Sequence, residues 1–237
     1  MSKPFKFKEF SVNQDQCAMK IGTDGVLLGA WTSVEKNPFS ILDIGAGTGV
    51  LSLMLAQRCS AQIIEALEID DSAYEQCVDN FEQSHWNDRL FCYHASLEEF
   101  AEEIDDQYDL IICNPPFYSE DYKTKNIERD LARFQDAMPF EHLMENVSSL
   151  LSEDGRFNVV IPFSEETRFI RLAAQVALFP KQILHVRGHS SAEIKRSLIE
   201  FSFVNQVVEI SELIIEITRH QYTQDYICLT KDFYLKM

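Results

Sequence analysis

Short apolar runs alternate with longer amphipathic stretches through most of the chain. Each run has 5–8 residues rich in Ile, Val, Leu or Phe, which is typical of strands buried on both faces of a parallel sheet. Between these runs, apolar residues recur at three- and four-residue spacing, as in helices that pack one side against a sheet. The pattern predicts strands at 40–44, 63–69, 90–94, 109–113 and 156–163, and helices at 49–58, 72–84 and 139–151.

The last third of the chain has a different pattern. Segments 182–188 and 196–204 predict two strands joined by a polar loop, which suits an antiparallel hairpin at a sheet edge; a further strand at 212–217 and a short helix follow. Alternation of strand and helix predicts an α/β fold with a doubly wound, mostly parallel seven-stranded sheet and an antiparallel edge hairpin. We expect one domain over 1–237, with an N-terminal segment (1–36), a core (37–204) and a C-terminal extension (205–237).

Composition narrows the class of protein. The 237 residues are 46% apolar and 25% charged, as in a soluble globular domain, and no run approaches the roughly 18 apolar residues that a membrane helix needs. The start, MSKPFKFKEF, lacks the apolar core of a signal peptide, and the six Cys occur singly. We therefore expect a cytoplasmic, monomeric protein with reduced thiols and no metal, since the six His show no ligand spacing either.

The charge is distributed unevenly. The chain carries 21 basic and 38 acidic residues, a net charge of −17, but 15 of the acidic residues and only one basic residue lie within 61–110. One acidic flank with basic residues elsewhere suits a protein that touches RNA on one side only, and it also suits ordinary solvated surfaces. The candidate RNA-binding residues are Lys3, Lys6, Lys8, Lys20, Lys123, Lys125, Arg129 and Arg133.

A glycine-rich turn follows the first long strand. Gly45, Gly47 and Gly49 stand between a predicted strand and a predicted helix, where glycines permit positive φ and close approach of a ligand to the backbone. Glu68 ends the next strand, where its carboxylate could accept hydrogen bonds from ribose hydroxyls. The sequence predicts a nucleoside-cofactor site here, with a tight turn that binds no ligand as the alternative.

The strand at 109–113 ends in Asn114-Pro115-Pro116-Phe117. Two prolines stiffen the chain at the edge of the sheet where doubly wound folds bind ligands. The Asn114 side-chain oxygen and the Pro115 carbonyl could accept both hydrogens of a planar amine, while Phe117 offers a face for stacking. This arrangement suits methyl transfer to nitrogen by positioning. A structural turn closed by a core Phe is the alternative.

These motifs resemble those of a known enzyme family. Asp43 with the three glycines is similar to motif I of class I S-adenosylmethionine-dependent methyltransferases, and NPPF is similar to the (D/N)PP(Y/F) motif of amino-methyltransferases. Together with CAMKIGTDGVLLGAW (17–31), ALEID and ICNPPF in that order, they resemble bacterial tRNA adenine-N6 methyltransferases that modify adenine 37 of a valine tRNA. The resemblance covers about residues 5–163 and the closing DFYL.

The resemblance implies S-adenosylmethionine as the cofactor and assigns a role to each site residue. Catalysis would fall to Asn114, Pro115, Pro116 and Phe117. The cofactor-binding residues would be Asp43, Gly45, Gly47 and Gly49 for the methionine part, Glu68 for the ribose, Ser96 for the adenine, and Thr23 and Asp24 as lid residues. Ser96 stands where such enzymes often have Asp, and Phe117 where they often have Tyr.

The same resemblance implies an RNA partner, a valine tRNA whose adenine 37 is turned out into the NPPF pocket while basic residues hold the flanking phosphates. We then expect segment 1–36 to serve as lid and RNA-contact segment, and 37–204 to be the catalytic core. Three other functions stay open at this point. The first is a protein glutamine N5-methyltransferase, which would predict a peptide-binding N-terminal domain. The second is an adenine-N6 methyltransferase acting on rRNA or DNA, and the third is an inactive RNA- or cofactor-binding module.

Overall fold

A computed structural model of the chain describes residues 3–116 and 138–237. Within them, eleven strands run in chain order: β1 (Phe5–Lys6), β2 (Ser11–Val12), β3 (Ser40–Ile44), β4 (Ile63–Glu68), β5 (Leu90–His94), β6 (Tyr108–Cys113), β7 (Leu151–Pro162), β8 (Phe179–His189), β9 (Arg196–Ser202), β10 (Glu209–Thr218) and β11 (Gln221–Tyr222). The helices of the same residues are α1 (Thr23–Trp31), α2 (Val50–Arg58), α3 (Asp71–Glu82), α4 (Leu97–Glu103), α5 (Phe140–Leu150), α6 (Glu166–Gln175) and α7 (Gln224–Thr230).

Nine of these strands form one twisted sheet in the order β11-β10-β8-β9-β7-β6-β3-β4-β5. The five strands from β7 to β5 are mutually parallel, whereas β9 runs antiparallel to both β7 and β8. β1 and β2 form a separate hairpin. The carboxyl ends of the parallel strands therefore share one edge of the sheet, called the crevice edge below.

Each face of the sheet carries its own apolar cluster. One cluster receives side chains from α1, α2, α3 and α7, and the other receives them from α4, α5 and α6. Strands covered on both faces explain why their sequences are nearly continuous apolar runs. The predicted doubly wound α/β fold is confirmed.

Two details of the sheet differ from the expectation. Seven strands were expected, and nine belong to the sheet within the described residues. The β8–β9 hairpin forms as predicted but lies inside the sheet, because β10 pairs in parallel with β8 and β11 follows at the edge. The pairing of β10 with β8 is non-local, so periodicity in the sequence reveals the strand but not its neighbour.

The N-terminal hairpin packs against the end of the chain. Phe7 pairs with Tyr234 in an isolated antiparallel bridge, and its ring stacks on that of Phe10. Segment 205–237 thus contributes strands to the main sheet and a surface on which β1 and β2 rest. Among the described helices, we find none with the length and apolar character needed to cross a membrane.

Candidate active site

Four parallel strands deliver polar groups to the crevice edge. The glycine loop follows β3, Glu68 ends β4, Ser96 lies just after β5, and Asn114 follows β6 directly. Because β4, β3 and β6 are neighbours in the sheet, the Glu68 and Asn114 positions flank the glycine loop. The topology therefore brings together the predicted cofactor residues and the predicted amine-binding corner.

The glycine loop adopts backbone conformations that favour glycine. Gly45, Gly47 and Gly49 have φ of +70°, +55° and +76°. A Cβ added at Gly45 or Gly47 would meet no atom within 4 Å, so the loop faces open space at these two positions. At Gly49 a Cβ would lie 2.5 Å from the ring of Phe81, so this glycine also permits α3 to pack on the loop.

Glu68 forms a hydrogen bond with the glycine loop, beside which it was predicted to bind a ribose. Its Oε2 accepts a hydrogen bond from the Gly47 N–H at 2.7 Å, and its Oε1 accepts from the N–H groups of Ile69 and Asp70, both at 2.9 Å. A carboxylate has about four acceptor positions, so roughly one stays open for a ligand hydroxyl. The side chain is 9% exposed, and these bonds fix its orientation before any ligand arrives.

Asp43 lies beneath the loop and is fully buried. Its Oδ2 accepts hydrogen bonds from the backbone N–H and the hydroxyl of Ser52, at 3.1 and 2.8 Å. Its Oδ1 has no hydrogen-bond partner among the described residues. Burial above all, with a smaller contribution from the charge of Glu68, raises the pKa of Asp43 to about 7, against the hydrogen bonds from Ser52 that lower it.

These residues fit a nucleoside cofactor that carries a positive charge. The loop offers open space at two glycines, Glu68 keeps an acceptor position, and Asp43 Oδ1 is a buried, unpartnered carboxylate oxygen. A cation near Asp43 would favour its ionised form, whereas an anionic ligand would be repelled by both carboxylates. A polyphosphate nucleotide, which a glycine loop can also cradle, fits this pair of acids poorly.

Asn114 occupies the gap between the loop and the N-terminal helix. Its Nδ2 lies 3.7 Å from the position that a Cβ on Gly25 would take, and that same position is 3.8 Å from Val50 Cγ1 at the start of α2. The side chain is half-buried, and within the described residues its carboxamide has no hydrogen-bond partner. The carboxamide therefore lies at the crevice edge and outside the apolar core. Phe117 lies outside the described residues.

The predicted lid residues begin α1. Thr23 is exposed, while Asp24 accepts a hydrogen bond at 2.7 Å from the Nε of Arg196, the first residue of β9. The pair is about one-third exposed on each side, so its stabilising effect is small. Its geometric effect is to hold the first turn of α1 between β9 and Asn114.

Ser96 has a structural partner that the sequence analysis overlooked. It is the N-cap of α4 and forms a capping box with Glu99: the Ser96 hydroxyl accepts from the Glu99 N–H, and the Glu99 carboxylate accepts from the Ser96 N–H. The signature S-x-x-E is visible in the sequence. Contact between Ser96 and a cofactor adenine stays a prediction.

The basic residues predicted to bind RNA differ in exposure and in whether they already form hydrogen bonds within the protein. Lys3, Lys6 and Lys20 are exposed. Lys8 instead donates from Nζ to the carbonyl of Lys231 at 2.5 Å, so it joins the two ends of the chain. The other four predicted RNA contacts, Lys123, Lys125, Arg129 and Arg133, lie outside the described residues.

Two residues that the sequence analysis did not single out hold the N-terminal segment at the site. Gln76 and Asn80 of α3 are 2% and 1% exposed, and each makes hydrogen bonds with residues 13–16. They share the buried stripe of α3 with Ala73, Cys77 and Phe81. Amides at positions where periodicity predicts apolar residues are the signal that could have revealed them.

Among residues 3–116 and 138–237, no group of three or more His, Cys, Asp or Glu side chains is placed to hold a metal ion.

Comparison with known proteins places the chain among methyltransferases. The family model described as methyltransferase small domain matches residues 26–168. A curated protein of Flavobacterium johnsoniae named tRNA1(Val) (adenine(37)-N6)-methyltransferase is 63% identical over 98% of this chain and its own full length. One of the same name from Bacteroides fragilis is 45% identical over both full lengths. Among solved structures, a predicted O-methyltransferase from Agrobacterium tumefaciens aligns with a TM-score of 0.67 at 18% identity, over 89% of this chain and 96% of that one, which shows a shared fold.

Proposed function

Since this chain belongs to the family of tRNA1(Val) (adenine(37)-N6)-methyltransferases, within the methyltransferase small domain family, we propose that it transfers a methyl group from S-adenosylmethionine to the N6 amine of adenine 37 in the anticodon loop of a valine tRNA. The observation that carries the proposal is the juxtaposition of the open glycine loop with the carboxamide of Asn114, which has no hydrogen-bond partner among the described residues. The cofactor site and the amine-binding site are then neighbours, as direct transfer requires.

The residues of the glycine loop and β4 would hold the cofactor. S-adenosylmethionine, when bound, supplies an electrophilic methyl group on a positively charged sulfonium. Asp43 and Glu68 provide the negative potential that suits this charge, and the free acceptor position of Glu68 suits a ribose hydroxyl. Asp24, held by Arg196, would receive the ammonium group of the methionine part.

Asn114 and Pro115 would orient the acceptor. An exocyclic adenine amine is a weak nucleophile because its lone pair is delocalised into the ring. Hydrogen bonds from both of its N–H groups, one to the Asn114 oxygen and one to the Pro115 carbonyl, favour a more tetrahedral nitrogen with its lone pair free. Pro116 holds this corner rigid, and Phe117 would stack on the base.

RNA would reach this corner with adenine 37 turned out of the loop, since a stacked base cannot enter the crevice. Lys3, Lys6 and Lys20 would contact phosphates, together with the basic residues of 123–133. We further propose a monomeric, cytoplasmic enzyme that comprises one domain, with the N-terminal segment serving as lid.

Nucleoside mass spectrometry of a defined tRNA tests the proposal. Transcribed valine tRNA is incubated with the protein and S-adenosylmethionine, then digested; we expect N6-methyladenosine at position 37 and none in a matched tRNA with guanine there. Methylation of ribosomal RNA, DNA or a glutamine side chain in place of the tRNA would identify one of the rival activities. Cofactor binding without transfer to any of these would indicate an inactive binding module.

A further inference from the structure

Residues 13–22, which we call the strap, connect the N-terminal hairpin to α1 along the crevice edge. At one end Asn13 contacts α3 beside the glycine loop, and just past the other end Gly25 lies against Asn114. Gln14 Oε1 accepts a hydrogen bond from the Ile21 N–H at 2.9 Å and so closes residues 14–21 into a compact loop. The strap therefore spans the crevice edge from the α3 side to the amine-binding corner.

The buried side-chain amide of Asn80 forms hydrogen bonds with both the strap and the glycine loop. Its Oδ1 accepts from the Asn13 N–H at 2.8 Å, and its Nδ2 donates to the Asn13 carbonyl and to the Thr48 carbonyl, both at 2.9 Å. Thr48 lies inside the glycine loop, between Gly47 and Gly49. One side chain thus fixes the distance between the strap and the loop.

Gln76, one helical turn earlier on α3, binds only the strap. Its Oε1 accepts from the Gln16 N–H at 2.9 Å, and its Nε2 donates to Asp15 Oδ1 at 3.1 Å. Residues at i and i+4 lie above one another on a helix, so Gln76 and Asn80 form a continuous clamp along residues 13–16. Leaving such buried amides without partners would be costly, which makes the clamp specific to this position of the strap.

Cys17 reports where the middle of the strap lies. Burial first, then the charges of Glu68, Asp70 and Asp15, raise the pKa of its thiol to about 12. The geometry agrees, because Cys17 directly follows Gln16, whose N–H is bonded to Gln76 in the second turn of α3. The N-cap of that helix, Asp70, follows Glu68 by two residues, so Cys17 lies near the end of β4, where the ribose of the cofactor is proposed to bind. The strap therefore forms a wall of the cofactor site.

We propose that Gln76 and Asn80 are positioning residues that clamp the strap as a wall of the cofactor site beside Glu68 and tie it to the glycine loop, so that cofactor affinity depends on the clamp. The inference rests on the proposed function only for the identity of the cofactor. The clamp acts through the strap, so its loss weakens cofactor binding and leaves the transfer step intact.

The alkylation rate of Cys17 measures how firmly the strap is held against the rest of the protein. The full-length protein is treated with iodoacetamide at pH 8, and the modification of each Cys is followed by peptide mass spectrometry. Because the thiolate is the reacting species, Cys17 should react far more slowly than exposed Cys228 in the unaltered protein. Gln76→Ala and Asn80→Ala should each raise the Cys17 rate at least tenfold and leave the Cys228 rate unchanged.

Two variants, Gln76→Ala and the control Asp79→Ala, separate release of the strap from general damage. Gln76→Ala removes contacts to the strap alone, so it remains informative if Asn80→Ala fails to fold. Asp79→Ala changes an exposed neighbour on the same helix and should leave both alkylation rates at their original values. A Cys17 rate within twofold of the original in folded Gln76→Ala would overturn the clamp, as would an equal acceleration in Asp79→Ala.

Steady-state kinetics and calorimetry then connect the clamp to the cofactor. We expect Gln76→Ala and Asn80→Ala to raise the KM and Kd for S-adenosylmethionine about tenfold with kcat at saturation within twofold, whereas a smaller fraction of folded enzyme would lower kcat alone. Lower kcat with unchanged KM and Kd would refute the inference. If the unaltered protein binds S-adenosylmethionine but methylates no tRNA, the proposed function fails. Calorimetry of Gln76→Ala and Asn80→Ala then still shows whether cofactor affinity depends on the clamp.

Discussion

The two sides of the crevice differ in how far their polar groups are already engaged. On the cofactor side, Glu68 accepts three backbone hydrogen bonds and Asn80 makes three more, so the loop is fixed by its own neighbours. At the amine-binding corner, the Asn114 carboxamide has no hydrogen-bond partner among the described residues. One side is prepared in advance, and the other keeps its acceptor available.

This difference suits the roles proposed for the two sides. A cofactor site gains affinity when its shape does not have to be ordered on binding. An acceptor that must take a hydrogen of an incoming amine gains nothing from an existing partner, because that bond would have to be broken first. The contrast predicts that substitutions on the two sides will separate cofactor affinity from the rate of transfer.

Asn114→Ala should produce the largest effect. Removing the side-chain acceptor leaves the amine without one of its two orienting bonds, and we expect kcat to fall by about 10²- to 10³-fold, the range seen when a single orienting hydrogen bond is removed from an active site. The Kd for S-adenosylmethionine should stay within about threefold, since Asn114 is outside the loop. Single-turnover kinetics and calorimetry provide the two values. An equal loss in both would mean that Asn114 supports the cofactor side instead.

The fold was predictable from the sequence where each strand is buried on both faces. The predicted limits of the buried strand β3 agree with the structure, because an apolar run bounded by polar turns leaves little freedom. Those of β5 agree as well, although it is a mostly exposed strand at the sheet edge. β10 was predicted as a strand, yet its place next to β8 depends on pairing between distant segments. Local patterns carry no information on that choice, so the hairpin was wrongly placed at the edge.

The candidate site was predictable to the extent that it consists of motifs. The glycines and the NPP corner have backbone requirements that few sequences meet, so they could be located by inspection. The Gln76–Asn80 clamp and the Asp24–Arg196 pair join residues 60 or more positions apart. Such contacts exist only once the sheet has formed, and no spacing rule reveals them.

Asp43 provides a pH-dependent test of the cofactor side. Burial raises its pKa from 3.8 to about 7, so between these values the folded protein holds a proton that the unfolded chain has released. The free energy of unfolding should therefore fall as the pH rises from about 4 through about 7, and then level off. Asp43→Asn keeps an oxygen for Ser52 but cannot titrate, so it should lack this slope.

Urea unfolding at pH 5 and pH 8 measures the effect of Asp43. Relative to Asp43→Asn, the unaltered protein should lose on the order of 2 kcal/mol between these two values. Added S-adenosylmethionine should reduce this loss, because a nearby sulfonium favours the ionised carboxylate. Parallel pH profiles for the two proteins would mean that Asp43 is ionised throughout this range, which would contradict a pKa raised by burial.

Glu68→Gln should weaken cofactor binding by about tenfold, equal to about 1.4 kcal/mol. The glutamine amide keeps one oxygen, so it can no longer accept from Gly47, Ile69 and Asp70 together, and its NH₂ faces a donor. At saturating cofactor, kcat should remain within about twofold. Glu82→Gln, which alters an exposed carboxylate at the end of α3, is the matched control, and a similar change in its Kd would show that the effect is not specific to the ribose side.

The smallest effect is expected for the exposed lysines of the N-terminus, which would steer RNA toward the unengaged corner without touching the cofactor side. Lys3→Ala with Lys6→Ala should weaken tRNA binding several-fold at physiological salt and reduce the slope of log K against log[salt] by roughly 1 to 2, because each phosphate contact contributes about 0.7 to 0.9. Lys8 is excluded from this pair because it binds the carbonyl of Lys231 and its loss would disturb the chain ends.

Lys36→Ala is the control, since Lys36 lies beside Asp154, at the amino ends of the parallel strands and away from the crevice edge. Filter binding at four salt concentrations gives the slopes; if the double variant and the control have the same slope, the N-terminal lysines are ordinary surface and the RNA is held by other residues.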